Sequence, residues 1–413
     1  MARPLRHSPR SRVNPGRGAA IQALCVIDEG QHAEEALATL APADPGDRAL
    51  SWSLVLGVLR HRSALDEVMS TVAKRSPRTL DPVVRAAVRV GLYELRHARV
   101  PPHAAVDQAV EAVRALGVAH AAGFVNAVLR RSGEVTVSPD AATGHPPWIV
   151  ERWRARYGRE AADAWMEANN LPAPVYIVAR EDPAGVAREF QHRGIGLLPG
   201  PGDGVFRLAG PAGPIPSLPG YLEGRWWVMD PAAVAVADLA GELPSGTEVL
   251  DTCAAPGGKS FRLAARGARV TATDSEPRRL ERIVEGATRL GLPVAAAIFD
   301  WSTGSLDRRF PLVVVDAPCT GLGTLRRHPD IRWNRREDDI PRMAEKQKVI
   351  LANAARCVAP GGALLYAVCS PEPEEGVEVA ATLGWVEEDR YTNAPALGGE
   401  DVFWAVRLRA PPG

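Results

Sequence analysis

The sequence predicts a multidomain chain with an all-α N-terminal half, a small α+β middle module and a C-terminal doubly wound α/β domain. Three observations predict it. Apolar residues recur at helical spacing up to about residue 132. Stretches rich in Pro and Gly break the chain near residues 133–147 and 199–220. From Trp226 onward, short and nearly continuous apolar runs alternate with helical segments, the pattern of strands buried on both faces of a parallel sheet.

The elements follow in order. Residues 1–17 are polar and basic, with Arg3, Arg6, Arg10, Arg12 and Arg17 and no acid. They read as a disordered, solubilising tail, with a weak polyanion-seeking arm as the functional alternative. From 18 to 132 the pattern is helical throughout. Val84, Val88, Leu92 and Leu95 share one helix face, and Val106, Ala109, Val110, Val113 and Leu116 share another. Pro101-Pro102 opens the second of these helices and Gly117 stands where a C-terminal stop belongs. A third helix runs from about His120 to Arg131. Residues 133–147 read as a linker. A middle module over 148–225 begins with a helical stretch from Trp148 to Asn169. A strand near Val175–Val178, a helix near Gly185–Gln191 and strands near Ile195–Leu198 and Val205–Leu208 complete it. The C-terminal domain, 226–413, carries apolar runs at Val249-Leu250, Val270–Thr273, Ala295–Phe299, Leu312–Val315 and Leu364–Ala367. No internal repeat is present.

Composition excludes several classes. No run approaches the ~18–20 apolar residues of a membrane span, and the N-terminus lacks the apolar region of a secretory signal. The formal net charge is zero, so any attraction for nucleic acid has to come from local patches. Five cysteines, an odd number without a C-x-x-C pair, argue against a disulfide framework and against a zinc site. Free thiols in a reducing cytoplasm are the expectation, with no metal and no membrane partner.

In open α/β sheets ligands bind beyond the carboxyl ends of the strands, so the residues there carry the chemistry. After the first C-terminal strand comes Asp251-Thr252-Cys253-Ala254-Ala255-Pro256-Gly257-Gly258-Lys259-Ser260. Adjacent glycines let backbone approach a ligand, and the following helix offers free N–H groups. A phosphate-binding P-loop needs Gly where Cys253 stands, and the G-x-G-x-x-G dinucleotide fingerprint is absent. A turn for an adenosyl cofactor without a pyrophosphate remains. Asp274, ending the second strand, is placed to bind ribose hydroxyls; Asp300, ending the third, is placed for an adenine amino group or else caps its own loop. The fourth strand runs into Asp316-Ala317-Pro318-Cys319-Thr320-Gly321 and the fifth into Cys369-Ser370. If those strands are neighbours, two thiols lie side by side at the ligand edge. Isolated cysteines are ordinarily packing residues, the reading for Cys25 and Cys357.

Two thiols suit one reaction well. Cytosine C5 is a poor nucleophile until a thiolate adds at C6, and a second group then removes the C5 proton so that the first sulfur can leave. A carboxyl group near N3, here Asp316, stabilises the adduct. The stretches 251–259, Asp316-Ala317-Pro318-Cys319-Thr320-Gly321-Leu322-Gly323 and Arg326-Arg327-His328-Pro329-Asp330-Ile331-Arg332-Trp333 resemble the bacterial Sun (RsmB) family of rRNA cytosine-C5 methyltransferases. Pro102-His103-Ala104-Ala105-Val106 and 123–131 resemble a NusB-type RNA-binding domain, and His145-Pro146-Pro147-Trp148 with Asn169-Asn170 resembles the family's middle segment. The resemblance implies a Rossmann-like class I methyltransferase domain using S-adenosyl-L-methionine. It makes Cys369 the nucleophile and Cys319 the thiol for product release. Ala254, Ala255, Pro256, Gly257, Gly258, Lys259, Asp274, Asp300 and Asp316 become the cofactor set.

The chain departs from the family pattern at four places. Val368 precedes the nucleophile where a hydroxyl is usual, and Met229-Asp230, Val178-Ala179-Arg180 and 399–404 also differ. Between the fourth and fifth strands, Arg326, Arg327, Arg332, Arg335 and Arg336 gather around Trp333, the mixture expected for phosphate contacts and base stacking. The implied partner is RNA, with 16S rRNA expected, acted on by a monomer. Three alternatives stand beside this reading. The same chemistry could serve tRNA or DNA, the chain could be a decayed enzyme that only binds RNA, or Cys319 could be the nucleophile, as the Pro-Cys pair is in DNA cytosine-C5 methyltransferases.

Overall fold

The structure, a computed structural model, describes residues 13–210, 212–393 and 399–413. The described residues form two compact units, one within residues 1–172 together with 325–337, the other within 173–324 together with 338–413.

The first unit is helical: α1 (Pro15–Asp28), α2 (Ala33–Leu40), α3 (Pro45–Ala73), α4 (Pro82–His97), α5 (Pro102–Ala115), α6 (Ala122–Arg131), α7 (Pro139–Ala142), α8 (Pro147–Tyr157) and α9 (Arg159–Asn169). Local sequence sets the starts. Asn14, Asp44 and Asp81 cap α1, α3 and α4 through their side chains, each followed by a proline whose missing N–H costs a helix nothing there. The periodic residues fill one core, with Val84, Val88, Leu92, Ala109 and Val113 all buried. Inside it Arg89 is forked between Asp66 and Asp28 at 2.7–2.8 Å.

Two expectations for this unit need correction. Residues 1–12 of the basic tail lie outside the described residues, but Arg17 is within α1 and grips Glu94 at 2.7 Å. It has an acid to neutralise and is structural. The stretch 133–147 is no solvated linker. His145 is buried and its Nδ1 lies 2.6 Å from the Thr143 carbonyl, while Gly144 turns with φ +69° so close to the Arg60 carbonyl that a Cβ would overlap it. Its composition signalled turns, and packing made those turns interior. The helices α8 and α9 also belong to this unit and not to the middle module.

The second unit holds two sheets. The small antiparallel sheet has the order β2-β3-β1-β4, with β1 (Tyr176–Ala179), β2 (Gly196–Pro199), β3 (Val205–Ala209) and β4 (Trp226–Val228), and α10 (Pro183–His192) joins β1 to β2. Trp226 does not start the C-terminal domain, as its sequence pattern predicts, but lies in the edge strand of the small sheet, opposite Ala179. After α11 (Pro231–Asp238) the large sheet begins with β5 (Glu248–Asp251), α12 (Gly258–Ala265), β6 (Arg269–Asp274), α13 (Pro277–Leu290), β7 (Val294–Ile298) and β8 (Phe310–Asp316). The segment 325–337, with α14 (Ile331–Asn334), then joins the first unit. The chain returns through α15 (Asp339–Ala355) to β9 (Val358–Val368), α16 (Val377–Ala380), β10 (Val386–Thr392) and β11 (Trp404–Arg409). The sheet order is β10-β11-β9-β8-β5-β6-β7, parallel from β9 to β7, with β10 and β11 added antiparallel. Successive β8 residues feed opposite layers: Leu312 and Val314 pack on one side of the sheet, Val313 and Val315 on the other. Among the described residues no helix is long and apolar enough to cross a membrane.

Candidate active site

The strand order reverses at β5, whose neighbours are β6 on one side and β8 on the other, and ligands of open α/β sheets sit at such a point. The loop after β5 is built for close approach. Ala254 N–H donates to the Thr273 carbonyl at 2.9 Å, and Thr273 Oγ1 accepts from Trp301 Nε1 and donates to Thr252 O, so three strand ends are tied together. Ala255 and Pro256 are joined by a cis peptide bond. Gly257 turns with φ +110°, where a Cβ would run into the Phe261 ring, and α12 starts at Gly258.

Titratable groups crowd this edge. Asp251 is fully buried; Ser260 Oγ donates to its Oδ2 at 2.6 Å, while Oδ1 finds no donor within the protein. Burial, against the Ser260 bond, pushes its pKa up to about 7. Lys259 Nζ meets Asp316 Oδ2 at 2.5 Å and sits 4.8 Å from the centre of the Phe403 ring. Burial alone would lower this lysine, but Asp316 outweighs it and holds the ammonium above its ordinary range. Asp274 is buried at the end of β6, where Oδ1 accepts from Glu276 N–H and faces Arg279 at 3.8 Å. Asp300 is exposed and accepts from Ser302 N–H and Oγ, bonds that lower its pKa. Its observed contacts are those of a loop cap.

The two thiols come together as the neighbouring strands required. Asp316 pairs with Ala367 in the β8–β9 ladder, and beyond it Cys319 Sγ lies 3.3 Å from Cys369 Sγ. The hydrogen bond with Cys369, and then burial, push the Cys319 thiol well above its ordinary range. Gly323 N–H donates to the Cys369 carbonyl at 3.0 Å, an approach so close that a Cβ at 323 would strike the Val402 and Cys369 carbonyls. Cys253 is held thiol-like by burial, and Cys25 and Cys357 likewise, as packing residues are. Sequence reasoning missed Glu375, Ser370, Thr320 and Gln347. These are buried side chains around the thiol loops, and nothing in the spacing of common polar residues singled them out.

The arginine-rich segment divides. Arg332 is fully buried, donating to the carbonyls of Gly144, Asn169 and Leu325 and to Asn170 Oδ1 at 2.9–3.2 Å. Burial, with Arg60 nearby, presses its pKa down to about 9. It cannot reach a phosphate, which corrects the expectation for this residue. Trp333 donates Nε1 to the Leu59 carbonyl and packs on the helical core, with Arg62 4.8 Å from its ring centre, so it too is a structural anchor. Arg326 Nε is bound to the Pro172 carbonyl. Arg335 and Arg336, with Arg62, Arg78, Arg85 and Trp148, line a groove of about 570 Å³ on the first unit, where Asp28, Asp66 and Glu337 also stand. Arg327 is half-buried beside His328, whose pKa it helps to lower after burial.

Comparison with known proteins bears on the whole chain. Residues 241–393 match the family model for 16S rRNA methyltransferase RsmB/F, and residues 14–134 match the NusB family. A protein of Escherichia coli (strain UMN026) named ribosomal RNA small subunit methyltransferase B is 35% identical over 431 residues, covering 95% of this chain and 98% of that one. Its namesake in Cronobacter sakazakii is 34% identical over 382 residues, 88% of each. The crystal structure of PH0851 superposes with a TM-score of 0.81 at 22% identity, over 98% of this chain and all of that one, a likeness of fold.

Proposed function

The chain belongs to the ribosomal RNA small subunit methyltransferase B family, and from that premise we propose that it methylates C5 of a cytosine in 16S rRNA through a covalent bond between Cys369 and C6. It is an S-adenosyl-L-methionine-dependent rRNA cytosine-C5 methyltransferase with a NusB domain and a Rossmann-like catalytic domain. The observation that carries the two-thiol mechanism is the 3.3 Å separation of Cys319 and Cys369 at the ends of adjacent parallel strands.

The residues after β5 fit the cofactor. A Gly257 cradle that a Cβ would fill, a buried Asp251 oxygen without a protein donor and the carboxylate of Asp274 suit an adenosyl group carrying an ammonium. When bound, the cofactor supplies an electrophilic methyl group. Ala254, Ala255, Pro256, Gly257, Gly258 and Lys259 would form its loop, with Asp274 on the ribose, Asp300 toward the adenine and Asp316 at the methyl-transfer edge. Cys369 adds to C6, and the electron pair displaced onto the ring makes C5 nucleophilic. Asp316, held by Lys259, serves N3 of the ring. C5 takes the methyl group, Cys319 removes the C5 proton, and that pair of electrons re-forms the double bond as the sulfur–C6 bond breaks and returns Cys369 as thiolate.

The groove lined by Arg78, Arg335 and Arg336 suits a phosphate backbone, with Trp148 beside it for stacking. An rRNA substrate and free thiols go with action in the cytoplasm, and a monomer suffices for the chemistry described. Denaturing gels with labelled rRNA test the assignment. Cys319→Ala stalls after methyl transfer and leaves a protein–RNA adduct that survives denaturation. Cys369→Ala and the double variant form none. An adduct in Cys369→Ala and none in Cys319→Ala reverses the two roles.

A further inference from the structure

Beyond Asp316 and Ala317 the β8–β9 ladder ends, and the two loops that carry the thiols leave the sheet. Their spacing nevertheless has to be tight, because the atoms they serve, C6 and C5, are bonded neighbours in one ring. One buried side chain bridges them. Glu375 Oε1 accepts from the Thr320 N–H at 2.7 Å and from Gln347 Nε2 at 3.2 Å, and Oε2 accepts from Thr320 Oγ1 and Ser370 Oγ, each at 2.5 Å. Thr320 follows Cys319 and Ser370 follows Cys369. We propose that Glu375 is a positioning residue that locks the two thiol loops at the separation the reaction needs, an inference that rests on the two-thiol mechanism above.

The chemistry of the bridge is specific. Four donors converge on one side chain, and the two oxygens of its carboxylate accept from all of them. Its own mount is rigid: Tyr366 in β9 donates to the Glu375 carbonyl at 2.6 Å, and Gln347 in α15 also donates to the Pro318 carbonyl, just before Cys319. All of Thr320, Ser370, Gln347, Tyr366 and Glu375 are buried, so no solvent competes for these bonds. Glu375 hydrogen-bonds to neither sulfur. It acts on both through the residue that follows each.

The test compares Glu375→Ala, Glu375→Gln and Ser370→Ala in the full chain by three measurements. These are S-adenosylmethionine affinity by calorimetry, single-turnover methyl transfer to rRNA, and the fraction of reacted RNA held as a denaturation-resistant adduct. A displacement of order 1 Å at a reacting group costs about 10²-fold. Glu375→Ala should therefore transfer methyl about 10²-fold more slowly, with cofactor affinity within about threefold of wild type. Its adduct fraction should rise, because loosening the loops uncouples attack from release. In Glu375→Gln the amide oxygen keeps the Thr320 N–H, and the two hydroxyls can turn to accept from the amide nitrogen. That variant should recover to within about tenfold of wild type. Ser370→Ala unties only the nucleophile's loop and should show the same rise in adduct fraction, which keeps the proposal testable if Glu375→Ala does not fold. An active wild type with Glu375→Ala within threefold of it, an unchanged adduct fraction, or failure of Glu375→Gln to recover overturns the proposal alone. A wild type that transfers no methyl group to cytosine C5 overturns the functional reading, and the proposal with it.

Discussion

At the scale of single residues, the sequence revealed what long, contiguous motifs carry and hid what depends on burial. Cys319, Cys369, Asp316 and the loop 254–259 were legible because each ends a strand in a doubly wound pattern, and such strand ends share one edge. Arg332 was misread, since a run of arginines looks the same whether it faces solvent or carbonyls. In the fold it is walled in by backbone acceptors from three separate stretches of chain. Glu375 was invisible for a related reason: it stands beside Glu372 and Glu374, and its partners come from other elements. Asp274 gives the sharpest residue-scale prediction. A hydrogen bond to a charged group is worth about 1.5–3 kcal/mol, so Asp274→Ala should weaken S-adenosylmethionine roughly 10- to 100-fold by calorimetry. Tight ATP binding with no adenosylmethionine binding would contradict the cofactor assignment.

At the scale of elements, the parallel strands and the periodic helices were readable, and the added antiparallel pair was not. The β10 sequence Val-Glu-Glu-Asp-Arg-Tyr-Thr is almost wholly exposed, so it shows neither an apolar run nor a two-residue alternation. Its place is set by pairing with β11. The segment 325–337 shows how one stretch can serve two purposes. Arg332 and Trp333 anchor the helical unit through bonds to backbone carbonyls at the groove wall, and Arg335 and the exposed Arg336 continue that wall. The two pairs should therefore respond differently to substitution. Arg332→Met orphans several buried acceptors, at about 1–3 kcal/mol each, and should lower the unfolding midpoint markedly. Arg336→Ala should move the midpoint much less than Arg332→Met and weaken rRNA binding, reducing the slope of log affinity against log salt by about 1. Equal effects on stability would remove the distinction.

At the scale of the whole molecule, buried histidines and buried acids respond oppositely to acid. In the first unit, burial lowers His61 to about 3 and pulls down His97, His145 and His328, while Asp330 raises His32. A histidine kept neutral in the fold contributes stability that is full above its unfolded pKa, near 6.5, and is lost as pH falls below it. Each such histidine costs up to about 1.4 kcal/mol per pH unit. In the second unit burial raises Asp251 to about 7 and raises Glu375, so stability from these acids is gained as pH falls from 7 toward 4. Thermal unfolding at pH 7.5 and 5 should show the helical transition moving down on acidification, and His61→Gln should shrink that movement. A helical transition that rises at pH 5 would contradict the assignment. The same two-unit division changes how the N-terminal half can be tested. Cutting at residue 132, the sequence boundary, would divide the first compact unit and leave α7, α8, α9 and residues 325–337 without the helices they cluster with, so point variants in the groove are the cleaner probe. The central claim, that this chain methylates C5 of a cytosine in small-subunit rRNA through Cys369, is tested most directly by bisulfite sequencing of 16S rRNA from a strain lacking it. One protected cytosine should lose protection in the deletion strain, regain it with the wild-type chain and stay unprotected with Cys369→Ala. An unchanged protection pattern in the deletion strain, or full restoration by Cys369→Ala, would contradict the account.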